Sequence, residues 1–167
     1  KGTSLVRLLS FRDLLESNNS RKVFGFDMYG KFPDSLQLES DRQFVQRFEN
    51  AGGFGISKKE LDFHLGNKGF RNFELIEGDI LETIPKFLAT NQSKKISLLH
   101  IDVDVYEPTK IILENLWDRV VKGGILMLDD YGTVEGETRA VDDFFAGQDI
   151  IIHKPKFNHI PSYIIKK

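Results

Sequence analysis

Apolar and polar residues alternate in blocks along the chain, and four short apolar blocks end in polar residues. Such blocks are typical of strands that are buried on both faces in a parallel sheet covered by helices. We therefore predict four strands, at residues 22–29, 73–78, 96–103 and 124–130.

Longer stretches around those strands carry apolar residues at the three- and four-residue spacing of a helix. The clearest is PTKIILENLWDRVV, residues 108–121, in which Pro108 suits the first turn and the pair Gly123 and Gly124 is expected to stop the helix. Its apolar stripe comprises Ile112, Leu113, Leu116, Trp117 and Val120. Further helices are predicted at residues 5–16, 35–52 and 137–145.

Alternating strands and helices predict an α/β fold, a Rossmann-like, doubly wound and mostly parallel sheet. Residues 149–154 and 162–167 are predicted to add a C-terminal antiparallel hairpin. No repeat or linker interrupts the pattern, so residues 1–167 are predicted to form a single domain. The opening KGTS, followed at once by a helix, is typical of the end of a glycine turn, so we expect the domain to be N-terminally incomplete, with its first strand missing from this chain.

Composition narrows the classes of partner. Of the 167 residues 40% are hydrophobic, enough for one globular core, and 23 basic against 25 acidic residues give no electrostatic reason to expect a nucleic acid or an anionic membrane. The chain has no cysteine, which excludes disulfides and thiolate metal sites and fits a reducing compartment. We therefore expect a cytoplasmic protein without a membrane or nucleic-acid partner, and a homo-oligomer is left open.

Aspartates stand at or just after the ends of the predicted strands. In open α/β sheets ligands bind beyond the carboxyl ends of the strands, so these side chains are candidate functional residues. They are Asp27, Asp79, Asp102, Asp104, Asp129 and Asp130.

Two of these groups, DVD and DDY, are separated by one helix and one strand. Asp102 and Asp104 would point the same way if the strand stays extended, and Asp129 and Asp130 would follow the neighbouring strand. Four carboxylates in one crevice are costly unless a hard divalent cation shares their charge, and oxygen ligands favour Mg²⁺, Mn²⁺ or Ca²⁺. A carboxylate outside the coordination sphere would then be available as a base. The alternative is that each acidic pair starts a loop or caps a helix.

Several motifs in the same order carry a resemblance to a known family. HIDVDVYEPT, a helix ending in RVVKGG, then ILMLDDYG and TRAVDDFF, together with GFDMYGKFP and FELIEGDILETIP, resemble the macrocin O-methyltransferase family of bacterial S-adenosylmethionine-dependent enzymes that methylate sugar hydroxyls. The resemblance implies a class I methyltransferase fold with a metal near the site of methyl transfer. It implies that Asp102, Asp129 and Asp130 hold the metal and that Asp102 and Asp104 are catalytic, with Asp104 as the general base.

The same resemblance implies a donor site. Asp27 would accept hydrogen bonds from the ribose, as an acidic residue does in doubly wound nucleotide folds, and Asp79 would lie beside the adenine, with Ile80 as a packing surface. Backbone amides and a hydroxyl at the start of the first helix would bind the methionine carboxylate, and these belong to Gly2, Thr3 and Ser4. Helix or turn capping is the alternative role for Asp27 and Asp79.

Other polar residues receive structural interpretations. His100 stands inside an apolar strand and is predicted to be a hydrogen-bonded core residue. Glu135, Glu137 and Arg139 are predicted to form a solvated helix start, although Arg139 could contact an anionic acceptor.

These observations predict an O-methyltransferase that uses S-adenosylmethionine, a cation such as Mg²⁺ and an aspartate base. The expected partner is a small-molecule sugar or nucleotide-sugar acceptor, for example a nucleotide-linked 6-deoxyhexose, and phenolic or catechol acceptors stay open. Two alternatives remain. DVD also resembles the metal-binding motif of glycosyltransferases that use nucleotide sugars, and the chain could be a non-catalytic α/β binding module.

Overall fold

The structure, a computed structural model, describes residues 2–33 and 36–167. Its helices are α1 Thr3–Leu15, α2 Glu39–Asn50, α3 Lys58–Asn67, α4 Ile80–Thr90, α5 Tyr106–Leu116 and α6 Glu135–Phe145, with a 3₁₀ turn at Trp117–Arg119. Its strands are β1 Val23–Asp27, β2 Phe73–Glu77, β3 Ile96–Ile101, β4 Val120–Leu128 and β5 Ser162–Ile165. The chain divides into two compact units, residues 1–34 with 46–83, and residues 35–45 with 84–167.

The first unit is built on a parallel pair of strands. β1 and β2 pair from Val23 opposite Phe73 to Asp27 opposite Glu77, so their carboxyl ends lie at one edge. The backbone continues this pairing, because the Gly78 N–H donates to the Asp27 carbonyl at 3.0 Å. Helices α1 and α3 pack with these strands to form the core of this unit, which contains Leu9, Tyr29, Leu61, Leu65 and Leu75.

A buried arginine joins α1 to both strands of this unit. Arg12 is 7% exposed, and its guanidinium donates to the carbonyls of Arg21 and Asn72 at 3.0 Å and of Arg71 at 2.7 Å. These carbonyls precede β1 and β2, so one side chain holds the amino ends of both strands against the helix. The planar, forked guanidinium can satisfy several carbonyls at once.

The second unit contains a three-stranded sheet in which β4 is central. β3 pairs parallel with β4, and β5 pairs antiparallel with the other edge of β4. The register aligns one buried face, formed by Leu99, Ile101, Leu126, Leu128 and Ile164. Helices α5 and α6 pack on each other. The five residues of the predicted apolar stripe are all buried, but only Ile112, Leu113 and Leu116 belong to α5, since Trp117 lies in the 3₁₀ turn and Val120 in β4.

The opposite face of this sheet corrects the prediction of strands buried on both faces. Side chains alternate across the sheet with a period of two, so Leu98, Ile125 and Ile165 share the other face, where they are 39%, 38% and 48% exposed. An apolar composition shows that a strand tolerates burial, but burial itself depends on what packs against each face.

The two glycines expected to stop α5 lie elsewhere. α5 ends at Leu116, the 3₁₀ turn follows, and β4 has already begun at Val120. Gly123 adopts a left-handed φ of 76° and its N–H donates to the Lys166 carbonyl at 2.7 Å, at an irregularity in the β3–β4 register. The glycines therefore permit a bulge inside a strand rather than ending a helix.

Only one antiparallel β-bridge forms, within the described residues, where the sequence predicted a C-terminal hairpin. His153 and Tyr163 exchange backbone hydrogen bonds of 2.8 and 2.9 Å, but residues 149–154 form no strand in the described part of the chain. β5 pairs with β4 instead, which preserves the predicted antiparallel end of the sheet. Pro155 follows the bridge and lacks a backbone N–H, so it cannot extend the ladder.

Helices α3 and α4 were missed by the sequence analysis. α3 begins with a capping box, in which Ser57 Oγ accepts from the Glu60 N–H at 3.3 Å and Glu60 Oε2 accepts from the Ser57 N–H at 3.2 Å. The spacing S-x-x-E was the signal available for this helix. α4 contains Pro85, which lowers helix propensity and obscured the pattern.

No helix within the two described ranges is both long enough and apolar enough to cross a membrane.

Replacing Arg12 by alanine should destabilise the first unit. The change removes three charged hydrogen bonds to backbone carbonyls, and we expect a loss of roughly 2–3 kcal/mol in the free energy of unfolding. Urea denaturation followed by circular dichroism measures this loss. Arg7→Ala is the matched control on an exposed position of the same helix, and equal effects of the two changes would contradict the role given to Arg12.

Candidate active site

The carboxyl ends of β3 and β4 bring the DVD and DDY segments together. Ile101 lies opposite Leu128 in the parallel register, so Asp102 and Asp129 leave neighbouring strands side by side. The Asp129 N–H donates to the Ile101 carbonyl at 3.0 Å, which carries the ladder one residue beyond β4. The predicted convergence of the two acidic segments is therefore present in the second unit.

One group of side chains there has the spacing of metal ligands. A ligand atom from each of His100, Asp102 and Asp129 lies within 4.8 Å of the others. His100 Nε2 is 3.4 Å from Asp129 Oδ1, so the predicted hydrogen-bonded histidine also belongs to the site. Sequence reasoning missed that second role, although the two-residue spacing of His100 and Asp102 was the available signal.

Asp104 reaches the site by a different path from the one predicted. β3 ends at Ile101, and Asp104 has a left-handed φ of 64°, so the strand does not stay extended through DVD. A tight turn follows, in which the Val105 N–H donates to the Val103 carbonyl at 2.6 Å. The Asp104 carboxyl is hydrogen-bonded to that of Asp130.

Burial and mutual repulsion change the proton affinity of these carboxyls. Burial, followed by the charges of Asp130 and Asp102, raises the pKa of Asp104 to about 7. Burial and the charge of Asp129 also raise the pKa of Asp130. A carboxyl with a pKa near neutrality is suited to accept and release a proton under physiological conditions.

Glu137 was predicted to lie on a solvated helix start, and this prediction is wrong. Its side chain is 0% exposed, and Oε1 accepts from the Asp130 N–H at 3.0 Å. Within the described part of the chain Oε2 is buried without a hydrogen-bond partner. Burial, with the charges of nearby aspartates including Asp130, raises the pKa of Glu137 to about 8. The signal in the sequence was its helical spacing to Val141 and Phe145, which are also buried.

Arg139, by contrast, is exposed as predicted. Its guanidinium is 3.8 Å from an Asp143 carboxylate oxygen and lies over the ring of Tyr106, 5.4 Å from the ring centroid.

The start of α1, in the first unit, contains the three residues predicted to bind the methionine carboxylate, Gly2, Thr3 and Ser4. Gly2 precedes the helix with a left-handed φ of 77°, and a Cβ there would collide with the Leu61 side chain. Thr3 and Ser4 form the first turn of a 13-residue helix that has no side-chain cap at Gly2. The amides and dipole of such a turn fit a carboxylate such as that of methionine.

Asp27 and Asp79 both have local backbone roles. Asp27 Oδ1 accepts from the Tyr29 N–H at 2.6 Å, and Asp79 Oδ1 accepts from the Leu81 N–H at 2.9 Å at the start of α4. The capping alternative is therefore present at both positions. Ile80, the expected adenine surface, is 8% exposed as the first residue of α4. A cofactor role for these three residues stays a prediction.

The residues beyond β3 and β4 suit a divalent cation. Carboxylate oxygens and one imidazole are ligands that hard or borderline divalent cations accept. Burial and the charges of neighbouring carboxylates raise the pKa of Asp104 and of Asp130, so their ionised forms are disfavoured, and a cation would offset this cost.

The fold and these strand-end carboxylates define a Rossmann-like domain of the methyltransferase type. Its fold is that of the O-methyltransferase NovP, with a TM-score of 0.78 and 24% identity over 95% of this chain and 66% of that one. The apo structure of CalS11, a TDP-rhamnose 3'-O-methyltransferase of calicheamicin biosynthesis, matches with a TM-score of 0.70 and 25% identity over 98% of this chain and 66% of that one.

The chain belongs to the Macrocin-O-methyltransferase (TylF) family, whose model matches residues 4–160. It is 32% identical over 139 residues to the demethyldecarbamoylnovobiocin O-methyltransferase of Streptomyces niveus, covering 78% of this chain and 49% of that protein. The chain thus spans about half the length of this curated relative. Membership confirms the resemblance seen in the motifs.

The metal-free chain should become less stable as the pH rises from about 5 to about 8. Carboxyls of the unfolded chain ionise near pH 4. In the folded state the pKa of Asp104 is raised to about 7 and that of Glu137 to about 8, so both side chains stay protonated at pH values where the unfolded chain has lost these protons. In this window the folded state binds more protons than the unfolded state, so the free energy of unfolding falls with rising pH. Urea denaturation in EDTA across this range measures the slope.

Asp104→Asn should flatten that slope. Asp149→Asn is the control. Lys167 lowers the pKa of the exposed Asp149 carboxyl, so this group does not contribute to the fall in stability with rising pH, and replacing it should not flatten the slope. A slope that is the same in wild type and Asp104→Asn would contradict the assignment.

Proposed function

We propose that this chain is part of an S-adenosylmethionine-dependent O-methyltransferase that acts on a sugar hydroxyl with the help of a divalent cation and an aspartate base. The observation that carries the proposal is the convergence of Asp102, Asp104, Asp129 and Asp130 beyond two parallel strands, in a member of the macrocin O-methyltransferase family.

The proposed chemistry needs help to ionise the acceptor, since a sugar hydroxyl has a pKa far above neutrality. A cation held by Asp102, Asp129 and Asp130, such as Mg²⁺, would supply Lewis-acid stabilisation to the alkoxide that forms. Asp104 would take the hydroxyl proton, a role for which a pKa of about 7 is suited. His100 would orient Asp129 through its Nε2.

The donor would bind to the first unit. The first turn of α1, at Gly2, Thr3 and Ser4, would hold the methionine carboxylate of S-adenosylmethionine, and Asp27 the ribose hydroxyls. Asp79 and Ile80 would contact the adenine. The local hydrogen bonds of the two aspartates are compatible with these roles, because each carboxylate offers about four lone-pair positions.

The acceptor is proposed from the relatives. CalS11 is named for TDP-rhamnose, and the Streptomyces niveus enzyme for a novobiocin precursor. We therefore propose a small-molecule sugar acceptor, with nucleotide-linked 6-deoxyhexoses as the first to test. The net charge of −2 and the absence of cysteine support a cytoplasmic protein that does not bind nucleic acid.

Asp104→Asn and Asp129→Ala should separate base from ligand. We expect Asp104→Asn to lower kcat by about 10²–10⁴-fold while S-adenosylhomocysteine binding is kept, because only the proton acceptor is removed. Asp129→Ala should weaken Mn²⁺ binding by about tenfold or more, because a ligand is removed. Calorimetry and methyl transfer to TDP-rhamnose measure these effects. Asp118→Asn, at an exposed position of the 3₁₀ turn, is the control. Full activity of both Asp104→Asn and Asp129→Ala would contradict the roles assigned to these two residues.

Asp27→Asn should weaken donor binding without disturbing the turn. The amide oxygen of asparagine can still accept from the Tyr29 N–H, while the charge that favours ribose hydroxyls is lost. We expect S-adenosylhomocysteine to bind about tenfold more weakly, as one charged hydrogen bond contributes on this scale. Calorimetry with Asp62→Asn, an exposed position on α3, as control tests the role, and an unchanged affinity in Asp27→Asn would remove it.

A further inference from the structure

We propose that Glu137 is a positioning residue that locks the Asp129–Asp130 turn to the Asp104 turn and so sets the arrangement of the metal ligands and the base. The lock is defined by geometry alone, whereas its consequence for metal affinity and turnover rests on the proposed function.

Glu137 bonds both acidic segments at once. Its backbone N–H donates to the Asp104 carbonyl at 3.0 Å, and its side-chain Oε1 accepts from the Asp130 N–H at 3.0 Å. The first bond belongs to any residue at this position, but the second requires a side chain with an acceptor of this length. Glu137 thus connects the segment after β3 to the segment after β4 from the first turn of α6.

The neighbouring glycine allows α6 to come this close. A Cβ at Gly136 would lie 2.8 Å from the Tyr106 nitrogen and 2.9 Å from the Asp104 carbonyl oxygen, both of them backbone atoms that cannot move aside cheaply. The same turn is held from another direction by Asp41 of α2, which is 3% exposed and accepts from the Tyr106 N–H at 2.9 Å. The left-handed Asp104 is therefore fixed by contacts with two helices.

Stability alone does not account for a carboxyl at this position. Glu137 is 0% exposed, its Oε2 has no hydrogen-bond partner among the residues described, and the charges of Asp102, Asp104 and Asp130 act on it. A buried carboxyl among like charges lowers stability. Residues that break a rule of core composition beside a site are expected to serve the site.

Three variants test the lock. Glu137→Gln keeps an oxygen for the Asp130 N–H and removes the charge, Glu137→Leu removes the acceptor at similar size, and Glu135→Gln changes an exposed neighbour on the same helix. Each is compared with wild type by hydrogen exchange of the Asp130 amide in ¹⁵N-labelled chain, by Mn²⁺ and S-adenosylhomocysteine calorimetry, and by thermal unfolding without metal.

We expect Glu137→Gln to retain protection of the Asp130 amide, to bind Mn²⁺ within about threefold of wild type and to unfold at a higher temperature. Glu137→Leu should lose that protection and bind Mn²⁺ at least about tenfold more weakly, with S-adenosylhomocysteine affinity unchanged. Glu135→Gln should match wild type. Rescue of metal affinity by the amide but not by leucine is a pattern that a purely structural role would not produce.

Two results would overturn the proposal. Glu137→Leu that keeps wild-type Mn²⁺ affinity would show that the lock does not set the ligands. Equal loss in Glu137→Gln and Glu137→Leu would show that charge, rather than the hydrogen bond, matters. Should wild type bind neither Mn²⁺ nor S-adenosylhomocysteine, the proposed function fails, and the Asp130 amide still decides whether the lock exists.

Discussion

Repulsion between carboxylates held at the ends of two parallel strands is the constraint on which the second unit depends. The β3–β4 register places Asp102 beside Asp129, and the turn after β3 brings Asp104 to Asp130. Parallel pairing makes this convergence unavoidable, because both strands end at the same edge. The surrounding structure has to hold these carboxylates close together. Because a bound cation or proton reduces their repulsion, such a cluster favours binding of either one.

The neighbouring helices supply that restraint through contacts with the backbone of the acidic segment after β3. Asp41 accepts from the Tyr106 N–H, and Gly136 lets α6 approach the Asp104 carbonyl. Glu137 adds a further buried acid, so the site is more acidic than its motifs alone indicate. Strain at Asp104 and burial of the acidic Glu137 side chain among like charges lower stability, a cost that functional sites commonly carry.

In the first unit, structural and functional roles share the same atoms. Asp27 and Asp79 each accept a local backbone hydrogen bond, which fixes the direction of the side chain. A carboxylate oriented in this way retains acceptor positions for a ligand, so capping and donor binding do not exclude each other. Gly2 is a further case, because this left-handed residue starts α1, and the first amides of a helix have no acceptor within the helix.

Local patterns predicted strands β1 to β5 and helices α1, α2, α5 and α6, the aspartates at the strand ends and the family, although they missed α3 and α4. They could do so because periodicity and strand-end position depend on neighbouring residues in the chain. The tertiary structure alone decided the left-handed turn at Asp104, the burial of Glu137 and the half-open face of the second sheet. Each of these depends on which segments pack together, for example Glu137 with Asp130 and Gly136 with Asp104. The order of residues along the chain does not show which distant segments will be in contact.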